Sequence, residues 1–173
     1  KDRFSIIYSP RGKETLKLVK SKIDLKLRIT NKKTELVLKY GKWSGNDARK
    51  EFLFPIDSEK FDQAVEFLMI LGFYYGVLQA TKAYLYLYKG IEISLVKVPN
   101  FGYYFEAEVI ANPDSIKNTN KKIMLICKEL NLNVFNDKDF RKLLEKLNNR
   151  SGFRFNFKKQ KFSVIKKRFI DYF

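Results

Sequence analysis

Histidine is absent from the 173 residues, and cysteine occurs once, at Cys127. The first absence excludes metal ligation by imidazole, a Ser-His-Asp triad and a histidine general base. The second excludes an internal disulfide and a zinc site built on cysteines. Because Cys127 falls in the apolar stripe of a predicted helix, we interpret it as a small buried hydrophobic side chain. Any site in this chain must be built without imidazole or a cysteine cluster.

Long hydrophobic runs are also missing. The longest, residues 67–80, is interrupted by Gly72, Gly76 and Gln79, and a membrane-spanning helix needs about 20 apolar residues. The chain begins at Lys1 without a signal-peptide pattern, and it contains no repeat, P-loop or Gly-rich dinucleotide loop. We therefore expect no membrane partner and an intracellular, cytoplasmic location.

Negative charge is scarce, with 19 acidic residues against 35 Lys and Arg, which gives a net charge of +16. A surplus of this size favours a polyanionic partner such as a nucleic acid or a polyphosphate. An AT-rich genome, which enriches Lys, Asn, Ile, Phe and Tyr together, would produce the same composition. Hydrophobic residues make up 45% of the chain, so it has enough apolar material for a folded domain.

The clearest local pattern is a run of three antiparallel strands between Leu78 and Ile110. Lys89-Gly90 predicts the first turn and residues 99–102 the second, because each has the glycine that a tight hairpin requires. Since side chains alternate along a strand, Glu106 and Glu108 share one face. That polar face is where we expect the functional groups.

Elsewhere the chain alternates strands and helices. Strand periodicity covers residues 23–29, 35–40 and 49–54, and helical periodicity covers three segments that start near Ser58, Ser115 and Asp137. We predict an α+β fold in which about eight antiparallel strands form a barrel or tunnel with the helices packed outside. Residues 1–150 would form the tunnel domain. Residues 151–173 would be a basic, aromatic extension of strand plus helix, which either completes the domain or binds nucleic acid as an arm.

Charged residues occupy the polar faces of these strands. If the strands close into a barrel, the charged faces meet inside, and such an interior implies a hydrated tunnel holding an anion, a cation or both. An open antiparallel sheet with one solvated face would have the same sequence pattern. The residues concerned are Lys26, Arg28, Glu35, Lys39, Arg49, Glu51, Lys82, Glu92, Glu106 and Glu108.

The order of these segments resembles the CYTH or triphosphate-tunnel family, which includes class IV adenylate cyclases and thiamine triphosphatases. The resemblance spans roughly residues 23–112. It is carried by an LRIR-like strand at Leu27-Arg28-Ile29, an LTYK-like strand at residues 36–39, an RxE pair at Arg49 and Glu51, and an EIE-like strand at Glu106-Ala107-Glu108.

The resemblance implies a basic tunnel that binds a triphosphate or polyphosphate carried by a nucleotide, an inorganic chain or an RNA 5′ end. If the chain is active, the implied activity is hydrolysis by a divalent-metal-dependent triphosphatase, or the reaction of an adenylate cyclase. The implied phosphate-binding residues are Lys26, Arg28, Lys39, Arg49 and Lys82. The implied catalytic residues are Glu106 and Glu108, and those two with Glu51 would hold Mg²⁺ or Mn²⁺.

Three features depart from the family pattern. The KxRxxY-like strand leading to Tyr88 has Ala83 and Leu85 where cations are expected, with Lys82 as a shifted substitute. No ExExK strand is found near the N-terminus, and Val96 stands where the LDEV-like segment carries its metal-associated aspartate. These departures keep open an alternative, a catalytically inactive module of the same fold that binds RNA or a protein.

Overall fold

The computed structural model describes residues 1–13, 22–41 and 49–173. The expected loop at residues 43–47, and most of the segment 14–22 that the sequence assigns to strand or helix, lie outside the described residues. The described residues form eight strands and four α-helices. The strands are β1 Asp2–Tyr8, β2 Ile23–Thr30, β3 Lys33–Tyr40, β4 Lys50–Ile56, β5 Tyr75–Tyr88, β6 Ile91–Val98, β7 Gly102–Glu108 and β8 Arg154–Asn156. The helices are α1 Phe61–Ile70, α2 Ile116–Glu129, α3 Asp137–Asn148 and α4 Phe162–Arg168.

All eight strands belong to one antiparallel sheet, which confirms the predicted α+β class. Its strand order is β4-β3-β2-β1-β5-β6-β7, and β8 pairs with the beginning of β5. Strands β4 and β7 are not hydrogen-bonded to each other, so the sheet curls without closing into a complete barrel.

The hairpin turns form where the sequence predicts them. Lys89 and Gly90 both have positive φ, 50° and 77°, as the β5–β6 turn requires, and Asn100 and Gly102 do the same between β6 and β7. Ser58, where the sequence places the start of the first helix, begins a short 3₁₀ turn that precedes α1. The Asp57 side chain accepts a backbone hydrogen bond at the start of this turn.

The main hydrophobic core lies between one face of the sheet and helices α1 and α4. It contains Phe4, Ile6 and Leu27 from the strands and Phe61 and Val65 from α1. The C-terminal segment completes this core with a group of buried side chains. These are Phe155, Phe157, Ile165 and Phe169.

A second core lies under α2, where Ile126 packs on Ile91 and Ile93. None of the described helices is both long and apolar enough to cross a membrane.

Candidate functional site

The sheet has one face that the main core does not use, and the strand register determines which side chains lie there. Residues directly opposite each other in an antiparallel pair point to the same side. Ser5 opposes Arg28, Arg28 opposes Glu35, and Ser94 opposes Glu106. We call this side the inner face. Its charged residues on the strands are Arg3, Asp24, Lys26, Arg28, Lys33, Glu35, Lys39, Glu51, Glu92, Glu106 and Glu108.

Ion pairs join cations of β2 and β3 to carboxylates of β3 and β4. The Arg28 guanidinium lies 2.8 Å from the Glu35 carboxylate, and the Lys39 ammonium lies 3.0 Å from Glu51. The side chains of both cations are partly accessible to water, with 14% of the Arg28 side chain and 23% of the Lys39 side chain exposed. Both cations are therefore oriented and within reach of a ligand on the inner face.

Asp24 connects two further cations. Its Oδ2 atom lies 3.1 Å from Lys26 Nζ and 3.2 Å from Arg49 Nη1, and the Asp24 side chain is fully buried. The other oxygen, Oδ1, has no hydrogen-bond partner among the described residues. Because a buried carboxylate is costly unless it is paired, we interpret Asp24 as the anion that holds Lys26 and Arg49 in place.

The carboxylates of β7 face these cations across the curled sheet. Burial raises the pKa of the Glu106 carboxyl and the neighbouring Glu108 carboxylate raises it further, whereas Lys26, Arg3 and Lys39 lower it. In a flat sheet β7 and β2 would be four strands apart, roughly 19 Å. The electrostatic influence of Lys26 on Glu106 therefore reflects the curl, which brings the two edges of the inner face towards each other.

Protein surrounds the Glu106 side chain, but the residue is still accessible to solvent. Its residue surface is exposed to solvent, yet surrounding protein desolvates the carboxyl enough to raise its pKa. These two properties occur together when a side chain lines a hydrated concavity, where water reaches the group but protein surrounds it on several sides.

Arg3 is a site residue that the sequence patterns missed. Burial lowers the pKa of its guanidinium and nearby Arg28 lowers it further, while Glu106, Glu108 and Glu35 raise it. Its Nε donates a 3.1 Å hydrogen bond to the Thr30 hydroxyl. Only the pairing of β1 with β2 shows that Arg3 shares a face with Arg28, and alternation within β1 alone does not reveal that register.

Tyr104 and Gln79 also lie on the inner face and were not predicted from the sequence. The Tyr104 phenol is hydrogen-bonded to the Gln79 side chain, and burial together with the Glu106 charge raises its pKa. A neutral phenol at this place supplies a hydrogen-bonding group beside the carboxylates of β7.

An apolar cluster covers part of the inner face. Ile7 and Val77, which oppose each other on β1 and β5, pack against Phe140 and Leu144 of α3. The expectation that the helices pack outside the strands therefore holds for α1, α2 and α4 but not for α3. Ile7 also opposes Lys26, so this apolar cover lies beside the cations.

The structure brings together most of the site residues predicted from the sequence. They are Lys26, Arg28, Lys39, Arg49, Glu51, Glu106 and Glu108.

Lys82 lies elsewhere. It opposes Asp2 on β1 and Lys97 on β6, positions that point to the other face of the sheet, and it is exposed there. Contrary to the prediction from the sequence, Lys82 therefore does not lie with the other predicted phosphate-binding residues. Alternation within β5 did not show which of the two alternating sets faced inward, because both sets contain polar residues.

The carboxylates do not form a metal site made by the protein alone. Within the described ranges, no group of three or more Asp, Glu, His or Cys side chains is placed to hold a metal ion. Glu51 is instead paired with Lys39. Glu106 and Glu108 remain as a pair of carboxylates two residues apart on one face, and the pKa of Glu106 is raised first by burial and then by the charge of Glu108.

The aromatic residues of the C-terminal segment have a structural place. Phe155 and Phe157 are 4% and 6% exposed, with ring centroids 4.4 Å apart. Lys166 of α4 is bonded at 2.7 Å to Asp62 of α1. The buried rings of this segment are therefore not free to stack on bases.

No protein-family model and no curated protein sequence matches the chain. Solved structures do match it. A conserved hypothetical protein of Pyrococcus furiosus has a TM-score of 0.64 at 23% identity, covering 77% of this chain and 75% of its own. A protein of Pyrococcus horikoshii has a TM-score of 0.58 at 22% identity, covering 84% of each chain.

A candidate adenylate cyclase of Vibrio parahaemolyticus also matches, with a TM-score of 0.58 at 16% identity over 76% of this chain and 72% of its own. The chain therefore shares its fold with these three solved structures. At these identities the likeness concerns the fold alone, so the chemistry of this chain has to be argued from its own inner face.

Proposed function

We propose that the inner face binds a triphosphate or polyphosphate group. The observation that supports this most directly is the distribution of charge. Arg3, Lys26, Arg28, Lys39 and Arg49 lie on the side formed by β1 to β4, and the carboxylates of β7 face them across the concavity. A chain of phosphates carries several negative charges in a row, which suits a row of cations held in place before the ligand arrives.

The inner face is mixed in charge rather than simply basic. Each of Lys26, Arg28 and Lys39 already has a carboxylate partner at 2.8 to 3.1 Å. Guanidinium and ammonium groups have several donors, so a cation can keep one carboxylate and still donate to phosphate oxygens. The carboxylates fix the direction of each cation and reduce the affinity for single anions.

A divalent cation fits this arrangement because the carboxylates of β7 and the phosphate oxygens of the ligand would both bind it. Mg²⁺ is commonly held by one or two carboxylates together with phosphate oxygens, and Glu106 and Glu108 offer two carboxylates opposite the cations. When bound, Mg²⁺ or Mn²⁺ would neutralise the repulsion between Glu106 and Glu108 and polarise the phosphate oxygens. Glu106 and Glu108 are the residues of this chain that we propose for that role and for catalysis.

The candidate adenylate cyclase among the structural neighbours supports a nucleoside triphosphate as one form of the ligand.

One observation favours binding without turnover. Val96 of β6 is 4% exposed and opposes Tyr104 and Ala83 on the inner face. β6 therefore supplies an apolar group where the family pattern has its metal-associated aspartate. The second candidate function is therefore a module that binds the phosphate chain without hydrolysing it.

Titration calorimetry with tripolyphosphate and with ATP, each with and without Mg²⁺, tests the proposal. Arg3→Gln and Arg28→Gln should each weaken tripolyphosphate binding about tenfold or more, because each removes a charge-assisted donor. Lys50→Gln is the matched control: it removes one exposed positive charge from the same sheet but from the opposite face. We expect Lys50→Gln to change affinity less than about twofold.

Absence of binding to either ligand at low salt would refute the proposal, as would equal losses in Lys50→Gln and Arg28→Gln. Phosphate or pyrophosphate release, measured on the same samples with Mg²⁺ or Mn²⁺, separates the enzyme from the binding module. Release that disappears in Glu106→Gln supports catalysis. Binding without release supports the second candidate.

A further inference from the structure

Among the residues that the structure describes, no helix covers one area of the outer face of the sheet, the face opposite the inner face, between two helical layers. Helices α1 and α4 cover this face as far as Ala80 on β5, and α2 covers it again around Tyr88 and Ile93. Between them lie six side chains, which we call the tyrosine face. Its members are Lys82, Tyr84, Tyr86, Leu95, Lys97 and Tyr103.

The rings of the tyrosine face are directed into solvent. Tyr84, Tyr86 and Tyr103 are 52%, 58% and 62% exposed, although all three lie within strands of the sheet. Large aromatic side chains contribute much apolar surface, and a cluster of them on an uncovered sheet marks an interaction surface. The core does not need these rings, because they contribute to none of the buried clusters of the described residues.

Cations are interleaved with these rings. The register places Lys82, Lys97 and Tyr103 side by side in one row across three strands, next to the row of Tyr84 and Leu95. The Lys97 ammonium lies 5.7 Å from the centre of the Tyr103 ring. At the edge of the tyrosine face, Asp2 opposes Lys82 and supplies one carboxylate to the same row.

The positive charge continues on α2. Lys117, Lys121 and Lys122 are exposed, and Lys122 reaches the β5–β6 turn at Gly90. With the chain at +16 overall, this side of the molecule attracts a polyanion.

We propose that the tyrosine face binds single-stranded nucleic acid, with its bases stacked on the tyrosine rings and its phosphates near Lys82 and Lys97. Every base has a flat face to stack, and the backbone brings a negative charge with each base, so alternating rings and cations match both parts of the strand. Tyr84 and Tyr86 lie about 7 Å apart along β5, a separation that an extended strand can span with successive bases. A protein partner fits less well, because lysines are depleted at the centres of protein interfaces and are costly to bury.

Fluorescence anisotropy with labelled oligouridylate and oligothymidylate of about twelve nucleotides tests this proposal. Both probes carry a 5′ hydroxyl, so they offer no triphosphate to the inner face. The double variant Tyr84→Ala/Tyr86→Ala should weaken binding at least about tenfold, whereas Tyr84→Phe/Tyr86→Phe should bind like the wild type because the rings remain. Tyr40→Ala is the matched control, since Tyr40 is also a strand tyrosine, 50% exposed, at the far end of β3.

The cations are tested separately. Lys82→Ala/Lys97→Ala should reduce the slope of log affinity against log salt by about 1.4, because each single-strand phosphate that a lysine neutralises adds roughly 0.7 to the slope. Lys159→Ala/Lys167→Ala removes two exposed lysines of the C-terminal segment and should leave the slope nearly unchanged. Circular dichroism of each variant shows whether it is folded.

Failure of the wild type to bind either oligonucleotide at about 50 mM salt would overturn the proposal. So would equal losses in Tyr40→Ala and Tyr84→Ala/Tyr86→Ala. Sedimentation that shows a wild-type dimer abolished by the double tyrosine variant would assign this face to a second copy of the chain, and would also overturn it. Since these probes and variants avoid the inner face, the outcome does not depend on triphosphate binding.

Discussion

Replacing Asp24 with asparagine should destabilise the fold while tightening the binding of tripolyphosphate. The substitution keeps the shape of the side chain but removes the charge that faces Lys26 at 3.1 Å and Arg49 at 3.2 Å. Breaking a fully buried ion pair costs about 3–5 kcal/mol. Because the Lys26 and Arg49 side chains keep 19% and 17% exposure, water recovers part of that loss, and we expect a cost of about 2–3 kcal/mol.

The gain in affinity follows from the same charge. A carboxylate roughly 7 Å from a bound phosphate repels it by about 2.4 kcal/mol at an effective dielectric constant near 20, and physiological salt screens this to about 1 kcal/mol. The dissociation constant of tripolyphosphate should therefore fall about fivefold in Asp24→Asn. Urea unfolding measures the first effect, and calorimetry measures the second at a temperature where the variant is folded.

Asp62→Asn provides the control. Asp62 is also paired with a lysine, Lys166 at 2.7 Å, but its side chain is 54% exposed and far from the inner face in the fold. Its loss should cost less than about 1 kcal/mol and leave affinity unchanged. Equal destabilisation by the two variants would refute the role of Asp24 as the anion that holds the site cations. Weaker tripolyphosphate binding in Asp24→Asn would refute the expected gain, because it would mean that the positioning of Lys26 and Arg49 by Asp24 outweighs the repulsion by its charge.

Three further predictions concern stability. Burial raises the pKa of Glu106, so its ionisation disfavours the folded state: the penalty is absent below the ordinary value of 4.5, grows as the pH rises from there to the raised value, and is constant above it. The difference in unfolding free energy between Glu106→Gln and the wild type should therefore grow with pH in favour of the variant, and a constant difference would contradict this. Phe155 is 4% exposed, so Phe155→Ala should lower the unfolding free energy in urea by about 3–5 kcal/mol. The control Phe67→Ala, where the ring is 58% exposed, should lower it by less than about 0.5 kcal/mol. Similar losses of stability in the two variants would be inconsistent with a structural C-terminal segment. Gly76→Ala should lower the free energy of unfolding, measured by thermal unfolding, by about 2–3 kcal/mol, because the new Cβ would lie 2.0 Å from the backbone oxygen of Ile7. A variant as stable as the wild type would count against the close packing of β1 on β5.

Local patterns were enough to predict most of the secondary structure. Alternating side chains located β2, β3 and the β5–β7 meander, and glycine marked the turns at Gly90 and Gly102. These features depend on neighbours within a few residues, so the sequence carries them directly.

The candidate site was predicted in part, for a related reason. Alternation places Lys26 with Arg28 and Glu106 with Glu108 on shared faces, because those pairs are two residues apart on one strand. It does not relate one strand to another. Arg3 was missed and Lys82 was misplaced because the β1–β2 and β1–β5 registers, which bring together residues 27 and 80 positions apart, decide their faces.

By itself the amino-acid sequence determined an α+β chain with strong positive charge, no imidazole chemistry, and strands that each carry one charged and one apolar face. Tertiary structure alone decided that the charged faces of β2 and β7 confront each other, that α3 covers the inner face beside Ile7, and that a row of tyrosines remains uncovered outside. The physical reason is that curl, register and helix placement arise from packing between distant segments. Each of those segments, taken alone, is compatible with a flat sheet as well as a curled one.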